Sequence, residues 1–375
     1  MSKIDLRKLV NINIQSSNFS TSSSIRDTVV LITNENDIES HIVSSKVELE
    51  QRYPKANYPL IEKYGSVFFD NGGSKLLVLP KGADDVNTIT NLDNKYIVVA
   101  IIGLSFSDAK NLATSLDNLE GIHRKILLVR TTNSDLTIPA SGVEGEEGYI
   151  PAQDIGPTLA NYDSLAIKFS DQIGAEMAIG AYLSRIKVYG SNTVQDYCFT
   201  PETIKESTTP KIDNSLYDAL QEANWNFNLE LGGAVRNIGG NLGSGKSLVN
   251  EYMLIVCHQT LTEALLKLLV TKIKGNSALA SIRAVLTQEL NNYVINGYLT
   301  KDKIWENEDW VVERNGVNYP IISKNHPLTQ GFHIQVLPLS SLTSAEKAEH
   351  KTPPIYVILA DSYSIRVIEV NGGVI

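Results

Sequence analysis

Cysteine is nearly missing from this chain: Cys198 and Cys257 are the two in 375 residues. That is too few for a disulfide scaffold and fits a reducing cytosol. Histidine is sparse as well, with six residues scattered so that none stands with Cys, His or Glu at ligand spacing, which leaves no zinc signature. Cys257 and His258 are neighbours about 100° apart around a helix, so one is expected to face the core and the other the surface. Positive charge is short too. A net charge of −9 with no basic cluster argues against a nucleic-acid binder. No apolar run approaches the roughly 18 residues of a membrane span, and the opening MSKIDLRKLV has no signal-peptide core. No internal repeat is found. The expectation is therefore a protein with no cofactor, no nucleic-acid partner and no membrane insertion.

What is present is a globular composition, 42% apolar, in a chain long enough for two or three domains. Gly240 to Ser247 spells GNLGSGKS, which matches the phosphate-loop pattern letter for letter. Such a loop works only between a strand buried on both faces and a helix starting at its Lys-Ser pair. The downstream half is there, because Ser247 to Val270 lacks Gly and Pro and is apolar at helical spacing. The upstream half is not. Asn226 to Ile238 alternates polar with apolar residues and reads as a half-exposed hairpin turning at Gly232-Gly233. A second helix, Ser277 to Ile295, follows where a nucleotide-binding sheet needs strand–helix–strand crossovers. Gly275 and Gly297 are expected as helix C-terminal caps. Ile355 to Asp361 resembles a strand ending in a metal-binding Asp, but it lies too near the end to complete a doubly wound sheet. The simpler account is a Gly/Ser turn capping a helix, with Lys246 in solvent.

The rest of the chain divides by pattern. Leu9 to Gln15 alternates, with Val10, Ile12 and Ile14 on one side, and predicts a strand with one face to bury. The polar stretch Ser16 to Ser24 follows. About ten such residues reach ~17 Å on average and ~35 Å fully extended, so the strand can pair far from its own body. Its simpler alternative is a ragged first strand of the domain itself. From Arg26 the pattern becomes α/β, with strands at Thr28 to Thr33, Lys75 to Leu79, Lys95 to Ile102 and Lys125 to Arg130. Helix and loop fill Glu35 to Tyr64, and Ser66 to Asp70 leads into the Asn71-Gly72-Gly73 turn. Amphipathic or small-residue helices are expected at Phe106 to Leu119 and Ser170 to Ile186. The loop Thr137 to Pro157 carries Glu144, Glu146 and Glu147, whose spacing fits no recognised calcium loop. Two strands close the chain, Ile355 to Ala360 and Ser364 to Val370. The expected divisions are an arm and linker over 1–25, an α/β domain over 26–200, a C-terminal core over 201–352 and a terminal strand region over 353–375.

In this order the segments resemble the tail sheath proteins of contractile phages and related injection machines. The likeness is carried by Val67-Phe68-Phe69-Asp70-Asn71-Gly72-Gly73, by the helix Ala175 to Arg185 leading to Tyr197 and Phe199, by the hairpin and Gly/Ser turn into Ser247 to Val270, and by the helix ending Tyr293-Val294-Ile295-Asn296-Gly297. The chain is shorter than many sheaths and is expected to lack their large outward-facing insertions. The resemblance implies a mixed α+β and α/β fold, multidomain, with an α/β layer domain, a C-terminal α+β part bearing two long helices, and extended strand arms at both termini. It implies a structural subunit and not an enzyme, which polymerises with itself around a tail tube protein in the virion, meets baseplate and tail terminator proteins, and is assembled in the host cytoplasm. The arm residues it implies are Val10, Ile12 and Ile14 at one end and Ile365, Val367 and Val370 at the other. A P-loop protein using Gly240 to Ser247, or another self-assembling virion component, is the alternative.

Overall fold

A computed structural model of the chain describes residues 13–16, 28–35, 38–82, 85–104, 106–131, 162–204, 212, 214–270 and 275–362. The apolar runs build a six-stranded sheet from β2 (Thr28–Thr33), β3 (His41–Val43), β4 (Lys75–Pro80), β5 (Val98–Ile101), β6 (Ile126–Thr131) and β7 (Leu165–Phe169). Its order is β3-β4-β2-β5-β6-β7, parallel except for β3 at the edge. Both faces are covered, and the strands show it. Val29 and Leu31 point into one core cluster while Val30 and Ile32 point into another, the alternation a pleated strand imposes.

Helices α1 (Lys46–Arg52), α2 (Pro59–Asp70) and α5 (Met177–Ser184) cover the first face; α3 (Asp85–Thr90) and α4 (Phe106–Asp117) cover the second. The sequence explains their ends. Ser45 caps α1 by accepting the Glu48 amide, and Pro59 opens α2, where its missing N–H costs nothing. The segment Ser66 to Asp70 is the last turn of α2. The turn after it is tight because Gly72 sits at φ +80°, and a Cβ on Gly73 would lie 2.4 Å from the Phe68 ring. Helix α5 is shorter than the expected 170–186, since Gly174 at φ +82° lies against Tyr64 and breaks the approach.

The remaining elements are α6 (Asn214–Glu222), the hairpin β8 (Phe227–Leu231) and β9 (Ala234–Ile238), two long helices α7 (Leu248–Val270) and α8 (Gly275–Ile295), short strands β10 (Lys303–Ile304) and β13 (Pro327–Leu328), the ribbon β11 (Trp310–Arg314) and β12 (Val317–Ile322), then β14 (Phe332–Val336), α9 (Ser344–Ala348) and β15 (Ile355–Leu359). Gly275 opens α8 at φ +62° instead of closing α7. Gly297, at φ +90°, follows the end of α8 as a C-terminal cap does.

Helix α7 is buried nearly all round from Leu248 to Thr262, and only its last turns reach the surface. Cys257 and His258 are both in the interior, at 0% and 5% exposure, so the expected core-and-surface split fails. A helix enclosed on every side has no wet face to offer its histidine. One hydrophobic cluster joins β2, α2 and α5 to Leu248 through Leu265 of α7, to α8 and to β14 and β15. It therefore draws on both sides of residue 200. No helix among the described residues is long and apolar enough to cross a membrane, and those residues hold no group of three potential metal ligands. Glu144, Glu146 and Glu147 lie outside them.

Candidate assembly interface

The glycine loop at 240–247 has the right letters and the wrong hydrogen bonds. Asn226, fully buried, reaches across with Oδ1 accepting the Gly240 amide at 2.6 Å and the Asn241 amide at 3.3 Å. The Leu242 amide bonds to Lys246 O, Gly243 to Leu165 O, Ser244 to Tyr162 O, Gly245 to Leu242 O and Leu248 to Gly240 O. A phosphate cradle needs these donors turned outward and unspent. Here they stitch the loop to the entry of β7 and to itself. Lys246 is not in open solvent as expected: its Nζ lies 2.6 Å from Asp163 Oδ2, both half-buried. Burial raises the Asp163 carboxyl, but the Lys246 ammonium bonded to it outweighs this and leaves it below its ordinary value. Ser247 Oγ accepts the Asn250 amide at the start of α7. Asp361, at the end of the strand resembling a metal-binding one, pairs with Lys303 at 3.0 Å and accepts Asn250 Nδ2 at 3.1 Å.

Beside the loop sits a buried polar knot. Lys168 of β7 is 0% exposed, its Nζ 2.8 Å from Glu202 Oε2 and 2.8 Å from Asn237 Oδ1. Asn228 Nδ2 donates to the same Glu202 oxygen at 2.8 Å, and the Tyr197 hydroxyl donates to the other. Burial depresses the Lys168 pKa while the Glu202 carboxylate holds it up. This knot pins the β8–β9 hairpin to the sheet. Next to it, Phe199 stands 43% exposed at φ +62°. A bulky residue in the left-handed region is strained, typically by ~1–3 kcal/mol. It is held there by its amide on Asn237 O at 2.7 Å and by Arg236 on its carbonyl at 2.9 Å.

At the other end of the parallel strands Glu176, 3% exposed, precedes α5. Its Oε2 makes no hydrogen bond. Burial lifts this carboxyl to about 7, against smaller opposing pulls from its own backbone, from Arg130 and from the Tyr64 hydroxyl.

The strands that bear on assembly form a separate three-stranded sheet in the order β1-β15-β14, where β1 is Asn13–Ser16. Strand β15 is the middle one, buried along its whole length. Ile355, Val357 and Leu359 face the main core, while Tyr356 and Ile358 face a small cluster with Trp305 and Leu337. On its far side β14 runs antiparallel, Phe332 opposite Leu359. On its near side β1 runs parallel: Asn13 opposite Tyr356, Ile14 opposite Val357, Gln15 opposite Ile358 and Ser16 opposite Leu359. Of the six predicted arm residues, Ile14 is thus placed on a strand against this chain's own β15. Val10, Ile12, Ile365, Val367 and Val370 lie outside the described residues. Sequence reasoning did not anticipate β14 as a partner, the anchoring role of Asn226, or the strain at Phe199. The one signal available was the crowding of Asn residues around the glycine loop, typical of side chains that bond backbone in turns.

No protein-family model matches the chain, and no curated protein matches it. Among solved structures, the chain is similar to the cryo-EM structure of the anti-feeding prophage (AFP) helical sheath in its contracted state. The TM-score is 0.61 at 12% identity, covering 95% of this chain and 95% of that one. A second match, the crystal structure of a sheath tail protein from Desulfitobacterium hafniense, has a TM-score of 0.48 at 8% identity, covering 82% of this chain and 96% of that one. The first likeness shows the fold: over 95% of its length the chain shares the fold of that helical sheath protein.

Proposed function

We propose, from the sheath fold as premise, that this chain is the structural subunit of a contractile phage tail sheath or a related injection machine. It polymerises with itself around a tail tube protein, bounded by baseplate and tail terminator proteins, and its contraction drives the tube through the host envelope. The observation that carries this reading is the whole-chain correspondence with a helical sheath subunit. The geometry of β1 supports it. A strand of four residues, Asn13–Ser16, pairs in parallel along the edge of β15.

Strand exchange follows from that arrangement. Main-chain bonds to β15 are the same whether β1 comes from this copy or from its neighbour, so swapping costs no ladder. Each such bond contributes only ~0.5–1.5 kcal/mol net, but a lattice repeats it in every subunit. Val10, Ile12 and Ile14 are the proposed N-terminal arm positions, and Ile365, Val367 and Val370 the C-terminal ones. Both arms keep copies joined while their bodies slide and rotate. The stored energy lies in the less favourable packing of the extended lattice, so no nucleotide is required.

The test is negative-stain microscopy of the concentrated, purified chain without nucleotide, where hollow tubes are expected. Deleting residues 1–20 should leave a folded monomer that forms none. An unfolded deletion product, by circular dichroism, would mean β1 belongs to its own body. Nucleotide binding that vanishes in Lys246→Ala, in a protein that never forms tubes, would favour the P-loop reading instead.

A further inference from the structure

The parallel sheet leaves an open groove at the N-terminal ends of its strands. It has a volume of about 1130 Å³ and is lined by Lys75, Lys95, Arg185 and Lys187, with Ile42 and Tyr189 among its apolar parts. Among the described residues that line it there is no carboxylate, in a chain whose net charge is −9. After α5 the segment 185–189 alternates, with Arg185, Lys187 and Tyr189 outward and Val188 inward. It belongs to no strand, yet its backbone is fixed: Thr193 Oγ1 donates to Lys187 O at 2.5 Å and Asn296 Nδ2 to Val188 O at 2.9 Å. Lys95 Nζ stands over the Tyr96 ring at 4.7 Å and 3.6 Å from Asp93. Tyr189 is 57% exposed and Ile42 40%. Tyr and Arg on a fixed backbone are residue types enriched at interface hot spots, and the three lysines add positive charge around them.

We infer that this groove docks the acidic stretch of a second copy of the chain, Glu144, Glu146 and Glu147 followed by Tyr149 and Ile150. The inference rests on the polymer reading above and adds a contact separate from the strand arms. Charge is the argument. Copies of a −9 chain repel one another, so a homopolymer needs a place where opposite signs meet. The groove gathers four cations, the stretch supplies three carboxylates within four positions, and its Tyr-Ile pair suits the apolar parts of the groove.

The test uses a fluorescent peptide of residues 141–150 and fluorescence anisotropy. The receptor is the full chain carrying Glu144→Gln, Glu146→Gln and Glu147→Gln, so that its own stretch does not compete. Saturable binding is expected, weakened at least about tenfold by Lys95→Glu with Lys187→Glu, and by a rise from about 50 to about 500 mM salt. Lys187→Gln alone, at an exposed position, serves as the milder variant and should weaken binding in the same direction. Equal binding of a peptide with Gln at all three Glu positions would overturn the inference. So would strong binding to the triple-Gln receptor with none to the wild-type monomer, because the stretch would then occupy its own copy's groove. In tubes, reversing the groove or the stretch alone should raise the assembly concentration at least about tenfold, and combining the two should restore it. Failure of the combination counts against the contact. Wild-type chains that form no tubes count against the sheath reading alone, because the peptide measurement needs no polymer.

Discussion

Replacing Glu176 by Gln should make this protein more stable at neutral and alkaline pH and leave it unchanged in acid. Glu176 is 3% exposed and has one carboxyl oxygen without a hydrogen bond. Burial raises its pKa from 4.5 to about 7 in the folded chain. The sign follows from proton binding: the folded state holds this proton more tightly than the unfolded state. Its stabilising contribution is therefore complete below about 4.5, shrinks as pH rises, and is gone above about 7. At one pKa unit per 1.36 kcal/mol, the buried carboxylate costs about 2 kcal/mol at pH 6 and roughly 3 kcal/mol at pH 8. Glutamine matches the neutral acid in shape and never ionises. Urea unfolding of both proteins at intervals from pH 4.5 to 8 measures the difference, and all other titrating groups cancel. A gap that grows to roughly 3 kcal/mol agrees with the argument; a gap independent of pH, or none at pH 8, refutes it.

Three further outcomes follow from the geometry. Lys168→Met leaves Glu202 buried without its cation, so it should cost about 3–5 kcal/mol in denaturant unfolding; the added change Glu202→Gln should recover part of that, and a single-variant loss under ~1 kcal/mol would dismiss the knot as a structural pin. Asn226→Ala removes a side chain that accepts from Gly240 and Asn241 and donates to Ile167 and Asn241 carbonyls, so a loss of about 3 kcal/mol or more is expected, with the glycine loop losing hydrogen-exchange protection first. Lys246→Ala breaks a half-exposed ion pair at 2.6 Å and should cost ~1 kcal/mol or less, with tube formation intact by microscopy.

Continuous apolar runs were the legible part of this chain. Residues 28–33, 75–80, 98–101 and 126–131 all became sheet strands close to their expected bounds, and the hairpin and the two long helices stand where periodicity put them. Such patterns are local, so sequence displays them. Strand β7 escaped because LAIKF is short and its lysine reads as a surface residue. Lys168 is interior only because Glu202, 34 positions later, meets it there. The three-stranded sheet was hidden for a similar reason: β1 and β15 stand at opposite ends of the chain. The GSGKS letters misdirect because a motif records residue types but not where their amides point, and Asn226 takes two of those amides from 14 and 15 residues upstream.

The direction of β1 has a mechanical corollary. Its tether leaves from Ser16, opposite Leu359, whereas β15 is entered from Ile355 at the other end of the same ribbon. Tension arriving through the tether and resisted at Ile355 runs lengthwise, so the rungs share the load and give way together. An antiparallel arm entering from the opposite end would peel open rung by rung.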